Sequence, residues 1–161
     1  MTTRVSYWLR AASVLTVLMA AAWIGCGGGS EGEGSEGPLT KVEFVKQGDA
    51  ICKEGNDRYV SEYQQFMKSN TIEKGDYPSA QEGFRITREI YLPMIERRLK
   101  ELQELVPPEA DAEKVAAIFS ATESGIAKVE KDVKVVTQGS TEPFSESKSL
   151  ARTYGFKDCA L

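Results

Sequence analysis

The sequence predicts an all-α fold, an up-down antiparallel bundle of about four helices. Three observations lead there. Apolar side chains recur every three or four positions through most of 41–154, and two capping boxes, Thr40 with Glu43 and Ser79 with Glu82, open such runs. No alternating β-branched run of useful length and no Asn-Gly or Asp-Gly hairpin lies between apolar stretches. Short connections between long helices make neighbours antiparallel.

Residues 1–25 have the build of an export signal. Arg4 and Arg10 give a positive start, and 11–24 is a short apolar run of 14 residues. A helix needs roughly 20 residues to cross a bilayer, and extending this run upstream takes in Arg10. The sequence Ile24-Gly25-Cys26 resembles the lipobox of bacterial lipoproteins, with Trp23 where that family usually carries Leu or another aliphatic residue. The resemblance implies cleavage before Cys26 and a diacylglycerol on its sulfur. Membrane lipid is then the expected partner at Cys26, and the expected location is the extracytoplasmic face of the cell membrane. An uncleaved anchor and ordinary secretion are the alternatives. Each buried acyl methylene adds about 0.8 kcal/mol, and two chains hold where one is marginal.

Residues 26–38 read as a flexible tether. After Cys26 the segment holds only Gly, Ser, Glu and a final Pro, so it has no apolar side chain to bury. A coil of this composition spans roughly 20 Å. Glu31, Glu33 and Glu36 read as a solvated spacer rather than a cation site. The folded domain is then 39–161.

The first helix is expected over 41–68, with Val45, Cys52, Tyr59, Tyr63 and Phe66 as its apolar stripe. Gly48 and Gly55 weaken it, since glycine in a helix interior costs about 1 kcal/mol relative to alanine. A loop over 69–78 follows. The second helix opens at Ser79 and carries Phe84, Ile90, Tyr91, Met94, Ile95, Leu99, Leu102 and Val106 before Pro107 and Pro108. Pro93 lacks an amide proton and clashes with the preceding turn, which predicts a kink near Tyr91 or a split into two shorter helices. The third starts near Ala110 or Asp111. Its seam runs Val115, Phe119, Thr122, Ile126, Val129, Val133 and Val136, ending at Gly139. A short fourth helix carries Phe144, Leu150, Ala151 and Tyr154 and stops at Gly155, and the tail brings Phe156 and Cys159 to the first helix.

Three cysteines are an awkward number in an exported chain until Cys26 is assigned to lipid. Cys52 and Cys159 then form a natural disulfide, the expected state outside the cytoplasm. Two free thiols or a redox couple is the competing reading, without a Cys-x-x-Cys spacing to support it. The bond closes a loop of 107 positions, 159 minus 52. The chain-entropy model assigns such a loop roughly 4 to 5 kcal/mol, comparable to the whole stability of a marginal domain.

Without Arg4 and Arg10 the 20 basic residues fall to 18 against 24 acidic, a formal charge of −6. No cluster of Lys and Arg remains to neutralise phosphates, so nucleic acid is not an expected partner. The chain has no histidine, which removes the commonest general base and the commonest transition-metal ligand. Gly-x-Ser-x-Gly, Walker and EF-hand patterns are absent, so no catalytic residue, metal or cofactor is assigned. Glu96, Glu101, Glu104 and Glu130 read as solvated surface among lysines and arginines. The sharpest lead is Asp49 with Asn56, one helical repeat apart on the Cys52 stripe. Each is a ligand contact, part of a structural network, or exposed at a helix edge, and a buried Asp49 needs a partner such as Arg85, Arg88 or Arg152.

The stretch Asp49-Ala50-Ile51-Cys52, taken with the terminal Tyr154-Gly155-Phe156-Lys157-Asp158-Cys159, resembles a group of poorly characterised actinobacterial lipoproteins. The resemblance implies an exported helical domain with a Cys52–Cys159 bond and no particular activity. The expected function is a membrane-anchored, non-enzymatic interaction or cell-envelope module. The alternative is a small-molecule or peptide-binding lipoprotein using a cleft between helices.

Overall fold

Thr40 and Glu43 cap each other at the start of the first helix. The Thr40 hydroxyl accepts from the Glu43 amide while the Glu43 carboxylate accepts from the Thr40 amide at 2.9 Å. In this computed structural model residues 37–161 are described, except 74 and 137–141. The expected signal peptide 1–25, Cys26, the tether as far as residue 36, and Gly139 lie outside the described residues.

The helices are α1 (Lys41–Ser69), α2 (Ala80–Ile86), α3 (Leu92–Gln103), α4 (Ala112–Lys131) and α5 (Ser145–Tyr154). Ser79 and Glu82 repeat the capping box at the start of α2. A π-helical segment, Thr87–Tyr91, joins α2 to α3, so the two make one continuous rod and the described residues form four rods. No strand occurs among the described residues. The fold is the expected all-α bundle.

Contacts along the rods fix their directions. Rising along α1, Gly48 lies beside Leu102, Gly55 beside Arg98, Tyr59 beside Tyr91, and Phe66 beside Ile86 and Ile90. The numbers fall on the facing rod, so the two run antiparallel. The same reversal holds for α4 and α5, where Val115 and Ile118 share a cluster with Ala151 and Tyr154 while Val129 meets Phe144. Two sets of aromatic rings thread the bundle. Phe44, Tyr154 and Phe156 meet one another at 5.5–6.1 Å, and Tyr63, Tyr59, Tyr91 and Phe144 form a chain with 5.7–6.0 Å steps. Such pairs add about 0.5–1.5 kcal/mol each beyond their buried area.

The structure refines the sequence expectation at one place and differs from it at three. Near Pro93 the α-helix is interrupted up to Tyr91 by a π turn that separates two shorter α-helices: the Leu92 amide reaches Thr87 O, five residues back, and Pro93 falls in the first turn of α3. The wider π turn accommodates the missing proline donor without ending the rod. α3 stops at Gln103, short of the prolines, and Val106 is half exposed, its carbonyl accepting from the Leu39 amide instead. Pro107 pushes Val106 away from the helical region. α4 ends at Lys131 rather than Gly139. Asp132 adopts an extended backbone and its carboxylate accepts from the Lys134 amide at 2.9 Å, a local bond that competes with helix continuation. Val133 is buried all the same. Finally, Phe44 is the most completely buried side chain among the described residues and Ile118 is in the core, although neither lies on the expected stripes.

Tyr154 links the core to a buried carboxylate. Its hydroxyl donates to Asp111 Oδ2 at 3.4 Å, Lys114 holds Asp111 Oδ1 at 2.6 Å, and Lys41 sits over the Tyr154 ring. Burial, reinforced by the Asp111 charge, pushes the Tyr154 phenol up to about 12 from 10.0. The neutral phenol is the folded form, so this contribution to stability is complete below the unfolded value and is lost as pH rises from 10.0 through about 12. Urea midpoints measured across that window fall less steeply for Tyr154→Phe than for the wild-type chain. Packing makes a second prediction. A Cβ at Gly48 would lie 2.5 Å from Phe156 Cε1, whereas at Gly83 it meets nothing within 4 Å. Gly48→Val therefore loses about 2 kcal/mol of stability through overpacking, and Gly83→Ala gains up to about 1 kcal/mol from helix propensity, both read from urea unfolding.

Candidate functional site

Helical spacing puts positions 48, 49, 52, 55 and 56 on one side of α1, and the last residues of the chain lie across it. Gly155, at φ 123°, turns the backbone out of α5 in a conformation that favours glycine. Phe156 then enters the core against Phe44, close over Gly48. Cys159 reaches Cys52 with an S–S distance of 2.00 Å and a Cα–Cα separation of 5.0 Å. The disulfide of the sequence reading is present.

Asp49 holds the same segment through its carboxylate. Oδ1 accepts from the backbone amides of Lys157, Asp158 and Cys159 at 3.0, 2.9 and 3.3 Å, and Oδ2 accepts from Lys157 at 3.1 Å. These amides open the last turn, Asp158–Ala160, so Asp49 acts as its cap from 108 or more positions away. None of the expected arginine partners reaches it. Arg85 pairs with Glu89 and Asn70, and Arg152 donates to Ala160 O at 3.0 Å. Asn56 bridges two elements: its amide nitrogen donates to Asp158 O at 3.3 Å, and its oxygen accepts from Arg98 Nη1 at 2.6 Å.

Arg98 was not among the expected site residues. It crosses α1 at Gly55, where a Cβ would lie 2.3 Å from Arg98 Cδ, and its Nη1 also reaches Cys52 O at 3.5 Å. The glycine expected to weaken α1 is what gives the guanidinium its path. A signal existed, because 91, 95, 98 and 102 step 4, 3 and 4 along the apolar seam of α3. Arg98 is largely buried, and burial lowers its pKa.

Beside the disulfide lies a cavity of about 50 Å³, walled by Cys52, Cys159, Ile95, Leu102, Ile118 and Phe119, with Arg98 and Lys148 among its lining. Burial lowers the Lys148 pKa, and the charges of Arg98 and Arg152 lower it further. Among the described residues no group of three or more Cys, Asp and Glu side chains is placed to hold a metal ion, and no helix is long and apolar enough to cross a membrane.

Removing the Asp49 carboxylate leaves three amides without their acceptor. Asp49→Ala costs about 2–3 kcal/mol, in the range for hydrogen bonds to a charged group, and Asp49→Asn, which keeps one acceptor oxygen, costs less; urea unfolding with the disulfide intact measures both. No family model, no curated protein and no solved structure matches the chain.

Proposed function

We propose that this protein is a lipid-anchored, extracytoplasmic helical module that contacts other components of the cell envelope and performs no catalysis. The observation that carries the reading is the Cys52–Cys159 bond, which ties the two ends of the domain together across 107 positions. A bond of this kind persists in oxidising compartments. It also accounts for two of the three cysteines, leaving Cys26 for the lipid that its lipobox-like setting suggests. The resemblance to actinobacterial lipoproteins points the same way. A core filled by interlocking aromatic rings favours a module that presents its surface over one built around a large ligand. The cavity of about 50 Å³ is far below the roughly 300–1,000 Å³ of drug-sized ligand pockets.

Mass spectrometry and fractionation of cells producing the full-length chain test this. A diacylglyceryl mass on Cys26, a linked Cys52–Cys159 peptide, and transfer of Cys26→Ala from the membrane to the soluble extracytoplasmic fraction are the expected results. Crosslinking on intact cells should join the anchored chain to a reproducible envelope neighbour that the Cys26→Ala chain loses. An unmodified Cys26 thiol, or a Cys52 thiol open to alkylation in the exported protein, overturns the proposal.

A further inference from the structure

Lys148 and Arg152 stand one turn apart on α5, and like charges at that spacing destabilise a helix. Arg98, on α3, lines the same cavity as Lys148 and adds a third cation from a different rod. None of the three forms an ion pair with a carboxylate among the described residues, although the chain as a whole is acidic. Arg98 commits Nη1 to Asn56 and Cys52, and Arg152 commits Nη2 to Ala160 O. A guanidinium has five N–H groups, so donors remain on both. Lys148, partly buried at the cavity, makes no hydrogen bond among the described residues. No side-chain nitrogen or oxygen among the described residues is both buried and without a hydrogen-bond partner, so the Lys148 ammonium reaches solvent and is open to an anion at the cavity. Besides Arg98 and Lys148 the lining is mostly apolar, with Ile95, Leu99, Leu102, Ile118 and Phe119 among it.

We propose that this cavity is a binding site for a short linear alkyl carboxylate, its head held by Lys148 and the uncommitted N–H groups of Arg98 and its tail lying against Leu99, Leu102 and Ile118. Charge selects the head, since the bound anion removes the repulsion within the Arg98, Lys148 and Arg152 group. Size selects the tail. One water needs about 10–15 Å³ of such space, so the cavity accepts a tail of about four or five carbons. The disulfide forms part of the wall, so the site exists in the oxidised protein. This inference goes beyond the tethered-module reading and stands without it.

The test is calorimetric titration of the full-length chain, held in lipid nanodiscs, with hexanoate, hexanol, hexylammonium and acetate, against empty nanodiscs as baseline. Hexanoate is expected to bind at least about tenfold more tightly than hexanol, in keeping with hydrogen bonds to a charged group. Acetate should bind more weakly for want of a tail, and hexylammonium should not bind. Lys148→Met keeps the aliphatic stem and removes no hydrogen bond, so it should leave the circular dichroism spectrum unchanged while losing about tenfold or more in hexanoate affinity. Hexanoate binding no better than hexanol, undiminished in Lys148→Met, or absent altogether overturns the proposal.

Discussion

Fastening residues 156–160 to one face of α1 is the constraint on which the rest of the structure depends. Four separate contacts do it: a covalent bond at Cys52, a carboxylate cap from Asp49, an amide bridge from Asn56, and the insertion of Phe156 over Gly48. They lie within positions 48 to 56 on one side of α1, so each limits the freedom the others must remove. Once the bond shortens the unfolded chain's reach, the hydrogen bonds and the ring contact form at lower entropic cost. Arg152 adds a bond from α5 to Ala160, so the last turn is gripped from two helices.

Closing the chain in this way has a consequence for the core. Phe156 brings a third ring to Phe44 and Tyr154, and that cluster joins α1, α4 and α5 around one fully buried phenylalanine. At the other end the rings of Tyr59, Tyr91 and Phe144 tie α1, the π segment and the start of α5. The π turn matters here. By accommodating Pro93 without a break, it keeps Tyr91 and Met94 on one continuous rod and lets both ends of that rod pack on α1.

Between the two ring sets the packing loosens, and polar groups enter. Arg98 passes over Gly55 to reach Asn56, and the cavity opens beside it with Lys148 at its lining. This is the part of the interior where local rules of core composition are broken. Such departures are expected where a protein does something besides fold. A structural role accounts for Arg98, whose hydrogen bonds join α3 to α1; it does not account for Lys148, which bonds to nothing among the described residues.

By itself the sequence determined the helical class, the starts of α1 and α2, the stop at Gly155, and the pairing of Cys52 with Cys159. These depend on residues within a turn or two of one another, or on simple counting, and so are written locally. Tertiary structure alone decided the fate of Asp49, Asn56, Gly48, Gly55 and Arg98. Their partners lie 42 to 110 positions away along the chain, and no local pattern names them. Asp49 was legible as a polar group on an apolar stripe, but an arginine and a row of backbone amides satisfy a carboxylate equally well on paper. Which one arrives depends on where α5 ends and how Gly155 turns. Similarly, the apolar seam of α4 continued past Lys131 in sequence, yet a short aspartate side chain capturing the Lys134 amide ended the helix while Val133 remained in the core. Periodicity says which side chains avoid water; only the assembled bundle says which polar atoms meet.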